Sequence, residues 1–292
     1  MLAEVLDKSP PVEWDAIAGL ATAKQALQEA VIYPALRPDI YKGLRAPVRG
    51  ILLYGPPGNG KTLLGRALAH ASRSTFFSIS ASSLTSKMFG DSEKLVRALF
   101  AAAAEAAPSI VFIDEVDSVL SARSSGEHDA MRRLKTEFLV QFDGVASAAE
   151  ARVVIIGATN RPQELDDAVR RRLVKRIYIP LPDAPGRRDV LERLLAHGGA
   201  GRPVASALGE ADVGRVVAMT EGYSASDLAA LCKEAAMLPL RRLGSRIGSV
   251  AVDSIPPLTL ADFTAALAAI RPSTNPALLQ AYADFTRDFG TV

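Results

Sequence analysis

The 292 residues carry 34 lysines and arginines against 32 aspartates and glutamates, a formal net charge of +2. This balance excludes a uniformly basic surface that coats nucleic acid, and it also excludes an acidic solvating chain. Hydrophobic residues make up 49% of the chain and charged residues 23%, which are globular values and argue against disorder. The single cysteine, Cys232, excludes an internal disulfide, so we expect a reducing compartment, the nucleus and/or the cytoplasm.

The start of the chain and its most apolar stretch bear on targeting. Residues 1–8 mix both charges and have no apolar core, so they do not resemble a signal peptide. The stretch 99–113 contains Glu105 and Pro108 and is too short to span a bilayer. We therefore expect a soluble protein without a membrane span. At roughly 150 residues per domain, the length predicts about two domains, or one domain with an appendage.

Short apolar stretches alternate with amphipathic ones in the first part of the chain. The apolar stretches are typical of strands covered on both faces in a parallel sheet. They lie at residues 50–54, 75–79, 110–113, 153–157 and 176–179. The stretches around them predict helices over 22–33, 61–72, 92–106 and 129–142. This alternation predicts an α/β domain with layers of helices around a parallel five-stranded sheet.

A Pro/Gly-rich connector at residues 181–186 ends the alternation. Beyond it the pattern predicts only helices, over 187–196, 212–219, 226–242, 259–269 and 276–289, with loops at 198–203 and 244–257. We expect a large α/β domain followed by a small helical one. The predicted units are an N-terminal extension (1–11), a large domain (12–182), a small domain (183–274) and a C-terminal helix (275–292).

The most specific motif lies between the first predicted strand and the helix that follows it. It reads Gly55-Pro56-Pro57-Gly58-Asn59-Gly60-Lys61-Thr62 and fits the phosphate-loop pattern G-x-x-x-x-G-K-[ST]. Glycines let backbone N–H groups curl around phosphates, and we expect Lys61 to reach the β- and γ-phosphates of ATP. The Thr62 hydroxyl is suited to bind Mg²⁺. A Gly/Pro turn with a chance lysine is the alternative, which the flanking strand and helix disfavour.

Two further strand ends supply polar groups for such a site. The strand at 110–113 is followed by Asp114, suited to the Mg²⁺ shell, and Glu115, suited to orient and activate a water. Asn160 follows the strand at 153–157 and is placed to position that water, because ligands of open α/β sheets bind beyond the carboxyl ends of the strands. Taken alone, an apolar strand ending in Asp-Glu is common, and an asparagine that opens a turn is equally ordinary.

Three arginines, Arg170-Arg171-Arg172, precede the last predicted strand. A surface charge run is usually a solvated face, and contact with nucleic acid is a second ordinary interpretation. In phosphoryl transfer, a guanidinium from a neighbouring subunit can also neutralise the charge of the transition state. The residues alone leave these three interpretations open.

The combined motifs resemble the AAA ATPases, and within them the meiotic clade of fidgetin, spastin, katanin and the ESCRT-disassembly ATPase. The resemblance runs from about Val12 to Phe289 and is greatest to the fidgetin-like branch, with spastin and katanin as near relatives. The segments that carry it are 14–20, 55–62, 76–87, 114–115, 136–144, 158–166, 170–176, 222–228 and 270–273. It implies a P-loop NTPase αβα sandwich with a parallel five-stranded sheet, followed by a small all-helical AAA lid domain.

The resemblance also implies roles for individual residues. It implies a catalytic set within one chain, Lys61, Asp114, Glu115 and Asn160, and arginine fingers that reach the next subunit's ATP, Arg171 and Arg172. Thr62 and Asp114 would bind Mg²⁺. The nucleotide would contact an entry segment, the phosphate loop and the start of a lid helix, through Ala18, Gly19, Gly55, Pro57, Gly58, Asn59, Gly60, Lys61, Thr62, Leu63, Gly222, Ala225 and Ser226.

Two loops are expected to line the pore of a ring. The first, Lys87-Met88-Phe89-Gly90, departs from the clade's usual order of lysine, tryptophan or tyrosine, valine and glycine. Either Phe89 or the flexible Met88 can still wedge against a substrate backbone, although the loss of a large amphipathic ring weakens the expected grip. The second, residues 123–129, is polar and contains His128, and an ordinary loop is an equally good interpretation.

By resemblance, the chain acts as an ATP-dependent homo-hexamer that threads a polypeptide through its pore and so remodels protein complexes. In the fidgetin-like branch that polypeptide includes a strand-exchange recombinase, which implies a role in recombination and DNA repair. The alternative is microtubule severing through tubulin tails. A nucleotide-gated oligomeric scaffold with weak pulling activity and a DNA-binding ATPase also remain open, although direct nucleic-acid binding is not expected from this region.

Overall fold

The computed structural model describes residues 6, 10–81, 91–121, 129–147, 152–197, 204–251 and 254–291. The predicted pore-loop residues Lys87, Met88, Phe89 and His128 lie outside the described residues. Within the ranges described, no helix combines the length and the apolar character that a membrane crossing requires.

A parallel five-stranded sheet with the order β2-β3-β4-β1-β5 forms the centre of the larger part of the chain. The strands are β1 (Gly50–Tyr54), β2 (Thr75–Ser80), β3 (Ser109–Asp114), β4 (Val153–Thr159) and β5 (Lys175–Tyr178). The central strands β1, β3 and β4 are buried almost throughout, because helices cover both faces of the sheet. The predicted α/β fold with five parallel strands is confirmed.

Helices flank the sheet on both sides. They are α1 (Ala21–Leu27), which continues through a π-helical turn (Gln28–Ile32) into α2 (Tyr33–Leu36), then α3 (Lys61–Ala71), α4 (Asp91–Glu105), α5 (Asp117–Leu120), α6 (Asp129–Ser147) and α7 (Asp167–Arg172). Short 3₁₀ turns lie at Trp14–Ala16, Gly43–Arg45 and Pro162–Glu164. One apolar core joins the sheet to α1 and α3, and a second joins it to α4 and α6. Neither α5 nor α7 was predicted from the sequence, because helices of 4 and 6 residues are too short to show a helical period.

The smaller part of the chain is helical, as predicted, and its described residues form four helices. They are α8 (Ala184–His197), α9 (Glu210–Met219), α10 (Ala225–Leu243), which runs into a 3₁₀ turn (Gly244–Gly248), and α11 (Leu260–Ala269). Leu191, Val216, Leu231 and Phe263 lie in their common core. Helix α8 begins before the predicted residue 187, within the expected connector. Its first turn accommodates Pro185, because the first N–H groups of a helix have no partner within it.

The last helix, α12 (Pro276–Phe289), returns to the sheet rather than joining the small part. Its buried side chains Tyr282 and Phe285 belong to the core that also contains α4 and α6. The Phe285 ring lies 4.9 Å from the ring of Tyr54, and the Tyr282 ring lies 5.9 Å from that of Tyr178. Tyr54 and Tyr178 are the last residues of β1 and β5. The C-terminal helix therefore packs at the carboxyl ends of the strands.

Candidate functional site

The phosphate loop connects the carboxyl end of β1 to the start of α3. Its three glycines, Gly55, Gly58 and Gly60, adopt φ values of 145°, 76° and 78°, a region that side chains disfavour. Gly58 also faces the small helical part, because a Cβ at this position would lie 2.7 Å from the Cβ of Ser226. Glycine is therefore required both by the turn of the loop and by the close approach of the lid.

Lys61, the first residue of α3, is only 7% exposed. Its ammonium group donates hydrogen bonds to the backbone oxygens of Gly55 (2.9 Å) and Pro56 (2.8 Å). Burial lowers the pKa of Lys61 to about 8, and the nearby carboxylates of Asp114 and Asp117 oppose that shift. A buried cation thus lies across the phosphate loop, where it is held by the loop's own carbonyl groups.

Asp114 ends β3 beside the start of α3. The Thr62 hydroxyl donates to Oδ2 of Asp114 at 2.7 Å, so a hydroxyl oxygen and a carboxylate oxygen lie side by side. The backbone N–H of Glu115 donates to the other oxygen, Oδ1, at 3.0 Å. Glu115 itself has a φ of 51°, which is uncommon for a residue with a side chain, and it is exposed. The sharp turn leaves one carboxylate half-buried and the next one free to meet a ligand.

Asn160 follows β4 and is held through its backbone. The Tyr282 hydroxyl donates to the Asn160 carbonyl oxygen at 2.6 Å. The side-chain Oδ1 of Asn160 is buried and has no hydrogen-bond partner among the described residues. A buried acceptor without a partner at this strand end is expected when the group binds a ligand or a water molecule.

A second link joins the ends of β3 and β4 beside Asn160. The Thr159 hydroxyl donates to Oδ1 of Asp117 at 2.6 Å, and the Val116 N–H donates to the carbonyl of Ala158 at 3.0 Å. Sequence reasoning missed both Asp117 and Tyr282. The signal for Asp117 was its position just after the Asp114–Glu115 pair, whereas Tyr282 carried no local signal.

A cavity of about 780 Å³ lies beside the phosphate loop. This volume falls within the range of small-molecule sites. Four residues predicted to bind nucleotide line it, namely Ala18, Gly19, Asn59 and Ala225. Unpredicted residues of the connector and its surroundings line it as well, namely Tyr178, Pro180, Leu181, Pro182, Asp183, Gly186 and Val190. The predicted residue Gly222 is not part of this lining; its carbonyl instead accepts a hydrogen bond from Thr274 at 3.2 Å.

The start of lid helix α10 is hydrogen-bonded to the phosphate loop. The Ser226 N–H donates to the carbonyl of Gly58 at 3.0 Å, and the Ala225 N–H donates to Oδ1 of Asn59 at 3.2 Å. Asn59 is only 5% exposed. The phosphate loop, the cavity and the lid therefore form one continuous site.

The arginine run lies at the opposite end of the sheet. A Cβ on Gly50, the first residue of β1, would clash with the backbone oxygen of Arg172, whereas the phosphate loop follows the last residue of β1. Five residues of strand span about 15 Å, so the run does not reach its own phosphate loop. Arg171 is exposed. Arg172 instead forms a two-pronged ion pair with Asp143, at 2.7 and 2.6 Å.

Three family models match consecutive parts of the chain. They are the ATPase family associated with various cellular activities (AAA) over residues 51–181, the AAA+ lid domain over 210–253 and the Vps4 C terminal oligomerisation domain over 254–290.

Curated relatives and a solved structure match nearly the whole chain. Spastin from Gallus gallus is 53% identical over 99% of this chain and 46% of its own length. Fidgetin-like protein 1 from Homo sapiens is 48% identical over 98% of this chain and 42% of its own length. The chain therefore spans less than half the length of these relatives. The crystal structure of the FIGL-1 AAA domain in complex with ADP is 45% identical, with a TM-score of 0.91, over 99% of this chain and 95% of the other.

The predicted resemblance to the fidgetin-like branch, with spastin near it, is confirmed. The parallel five-stranded sheet and the helical lid agree with the matches to the AAA model, to the AAA+ lid model and to the FIGL-1 structure. The chain belongs to the AAA ATPases, a family of ATP-hydrolysing enzymes.

Proposed function

We propose that this chain couples Mg²⁺-dependent ATP hydrolysis to the remodelling of protein assemblies, acting as a ring-shaped homo-hexamer. The observation that carries the proposal is the convergence of Lys61, Thr62, Asp114 and Glu115 at the carboxyl ends of β1 and β3. This constellation is suited to phosphoryl transfer, because it combines a phosphate-binding cation with a carboxylate that can act on water.

The donor set at Thr62 and Asp114 fits Mg²⁺. Among the residues described, no group of three or more histidines, cysteines, aspartates or glutamates could hold a metal ion alone. Mg²⁺ prefers oxygen ligands and usually takes most of them from water and from substrate phosphates. The adjacent oxygens of Thr62 and Asp114 match this coordination preference, because they provide two protein oxygen ligands and leave the remaining ones to water and phosphate. When bound, the ion would neutralise charge on the β- and γ-phosphates of ATP.

The side chains divide the chemistry between them. The Lys61 ammonium exchanges its loop carbonyls for phosphate oxygens. The exposed Glu115 carboxylate orients the attacking water and can accept its proton while the γ-phosphorus bond to that water forms and the bond to the leaving oxygen of ADP breaks. Asn160, with its unpaired Oδ1, is placed to orient the same water.

The arginine run supports an assembly in which each site is shared. A ring built from head-to-tail contacts brings one end of a subunit against the opposite end of the next. Arg171 lies at the amino end of the sheet and the phosphate loop at the carboxyl end, so such a contact would bring Arg171 to a neighbour's ATP. The match of residues 254–290 to an oligomerisation domain supports assembly.

For the client, we propose a recombinase filament, the class implied by the fidgetin-like branch, which would place the protein in the nucleus and in recombination and DNA repair. Severing of microtubules through tubulin tails, in the cytoplasm, is the second candidate. The higher identity to spastin, 53% against 48%, favours this second candidate.

The variant Glu115→Gln tests the proposal. It keeps the shape of the side chain but removes the proton acceptor, so we expect ATP binding to persist and turnover to fall by about 10²-fold or more. The measurements are ATPase rates and capture of client, with a recombinase filament and a tubulin-tail peptide offered separately. Lys61→Met is the matched control, because it should bind ATP only weakly and therefore should not capture client. Full turnover in Glu115→Gln would refute the role of Glu115.

Client stimulation separates remodelling from scaffolding. We expect the wild-type ATPase rate to rise when the correct client is added. ATP-dependent hexamers whose turnover no client stimulates would instead support a nucleotide-gated scaffold.

A further inference from the structure

The C-terminal helix α12 provides a buried hydroxyl group that contacts the active-site loop. Tyr282 is fully buried, and its hydroxyl donates to the Asn160 carbonyl at 2.6 Å across 122 residues of sequence. Burial raises the pKa of Tyr282 to about 12, so the hydroxyl stays a proton donor at neutral pH. A carbonyl oxygen only accepts hydrogen bonds. The contact therefore has a fixed direction and restrains the backbone of Asn160, whose buried Oδ1 has no partner in the described part of the chain.

The same helix is anchored beside the phosphate loop. The Tyr54 hydroxyl donates to Oγ1 of Thr286 at 2.9 Å, and the Thr286 hydroxyl donates to the backbone oxygen of Tyr282 at 2.7 Å. Tyr54 directly precedes Gly55, the first residue of the phosphate loop. Two hydroxyl groups on successive turns of α12 are thus aligned with the ends of two neighbouring strands, β1 and β4.

The segment that precedes α12 is tied to the lid. The backbone N–H and the hydroxyl of Ser273 donate to Oδ2 of Asp227 at 3.1 and 2.9 Å. Asp227 also accepts from the backbone N–H of Ser224, at 2.9 Å, where it caps the start of α10. Ala225 and Ser226, which directly follow Ser224, donate the two hydrogen bonds to the phosphate loop. A chain of direct contacts therefore runs from the phosphate loop through the start of α10 and α12 to Asn160.

We propose that Tyr282 is a positioning residue for ATP hydrolysis, which holds the Asn160 loop in its working geometry, and that α12 transmits the position of the lid to that loop. The inference rests on the proposed function of the site. Its physical basis is that Asn160, whose side chain is placed to orient water at the end of β4, is held by a hydrogen bond from outside its own loop. A lid that shifts with bound nucleotide would pull on α12 through Asp227 and so change the restraint on Asn160.

The variant Tyr282→Phe tests this role, because it removes one hydroxyl and keeps the ring that packs in the core. We expect kcat to fall about ten-fold, the effect of losing one well-formed hydrogen bond on the barrier, with the Kd for ATP unchanged. Thr286→Val is the matched control: it removes a hydroxyl from the same helix and leaves the bond to Asn160 in place. It should keep at least half of the wild-type kcat.

A double-mutant cycle with Asn160→Ala separates positioning from general destabilisation. If Tyr282 acts through Asn160, then Tyr282→Phe should cause no further loss of kcat in the Asn160→Ala background. The same fold loss in both backgrounds would overturn the proposal. So would a loss that disappears at high protein concentration, because it would report weakened assembly.

The wild-type rate keeps the two proposals apart. Absence of ATP turnover in the wild-type chain would overturn the proposed function of the site. Normal wild-type turnover together with an unaffected Tyr282→Phe variant would overturn only the positioning role.

Discussion

At the scale of single residues, the site depends on a buried cation. Lys61 is satisfied by carbonyls of its own loop, and its burial is tolerable because two aspartates lie close by. A lysine with a pKa near 8 is still mostly charged at pH 7 and becomes neutral as the pH rises past 8. Bound phosphate favours the charged form, so nucleotide binding and protonation of Lys61 reinforce each other.

This coupling predicts that affinity for ATP falls above pH 8. At pH 9 most of the free protein carries neutral Lys61, so binding must take up a proton, and the Kd should rise by up to about ten-fold relative to pH 7. Calorimetry in two buffers with different ionisation heats would measure the proton uptake directly. Lys61→Met should bind ATP weakly and without this pH dependence. Binding at pH 9 without proton uptake would contradict the assignment.

At the scale of elements, the two candidate arginine fingers have different environments. Arg172 at the end of α7 clasps Asp143 of α6, and the guanidinium holds the pKa of Asp143 below its usual value. Arg171 lies next to it and is exposed. The pair thus combines one arginine that joins two helices with one that is free to meet a neighbouring subunit.

Substitution of each arginine should separate the contribution of Arg172 to stability from the role proposed for Arg171 at a neighbouring subunit. Arg172→Ala removes the link between α6 and α7, and we expect it to lower the free energy of unfolding by about 1 kcal/mol, since the ion pair is partly exposed to solvent. Arg171→Ala is its matched control and should change stability by less than about 0.5 kcal/mol. Urea denaturation of the two variants measures the difference. Equal losses of stability would contradict a structural role specific to Arg172.

At the scale of the whole molecule, the two ends of the sheet carry the two groups of residues that the proposed shared site would combine. The phosphate loop lies at the carboxyl end, and the arginine run at the amino end, about 15 Å away along β1. In the proposed ring, a subunit would therefore supply the phosphate-binding groups of its own site, while Arg171 would act at the site of a neighbouring subunit.

Assemblies that mix two inactive variants should show whether the phosphate loop and Arg171 of one site come from different subunits. Arg171→Ala subunits keep an intact phosphate loop, and Lys61→Met subunits keep an intact Arg171. Each variant alone should lose most of its turnover, whereas a mixture should recover activity wherever an Arg171→Ala site faces a Lys61→Met neighbour. ATPase rates across mixing ratios, at concentrations that favour assembly, provide the measurement. A mixture no more active than its components would rule out the shared site.

Local sequence was enough to predict the sheet, the phosphate loop and the residues that end β3 and β4. Strand β1 was predicted with its observed bounds because an apolar run there meets a loop whose glycines and lysine have a fixed spacing. The first helix was predicted as continuous over 22–33, but it contains a π-helical turn at Gln28–Ile32, which no sequence period marks.

The sequence by itself determined which chemistry this chain can carry. Spacing and flanking strands were enough to predict a phosphate-binding site that contains Lys61, Thr62, Asp114 and Glu115. Only the tertiary structure decided which distant residues surround that site and hold it in place. Three contacts join segments that only packing brings together. They are the hydrogen bond from the lid to Asn59, the bond from Thr159 to Asp117 and the bond from Tyr282 to Asn160. The physical reason is that a phosphate loop is encoded within a few consecutive residues, whereas a hydrogen bond across 122 residues exists only once the sheet and the last helix have met.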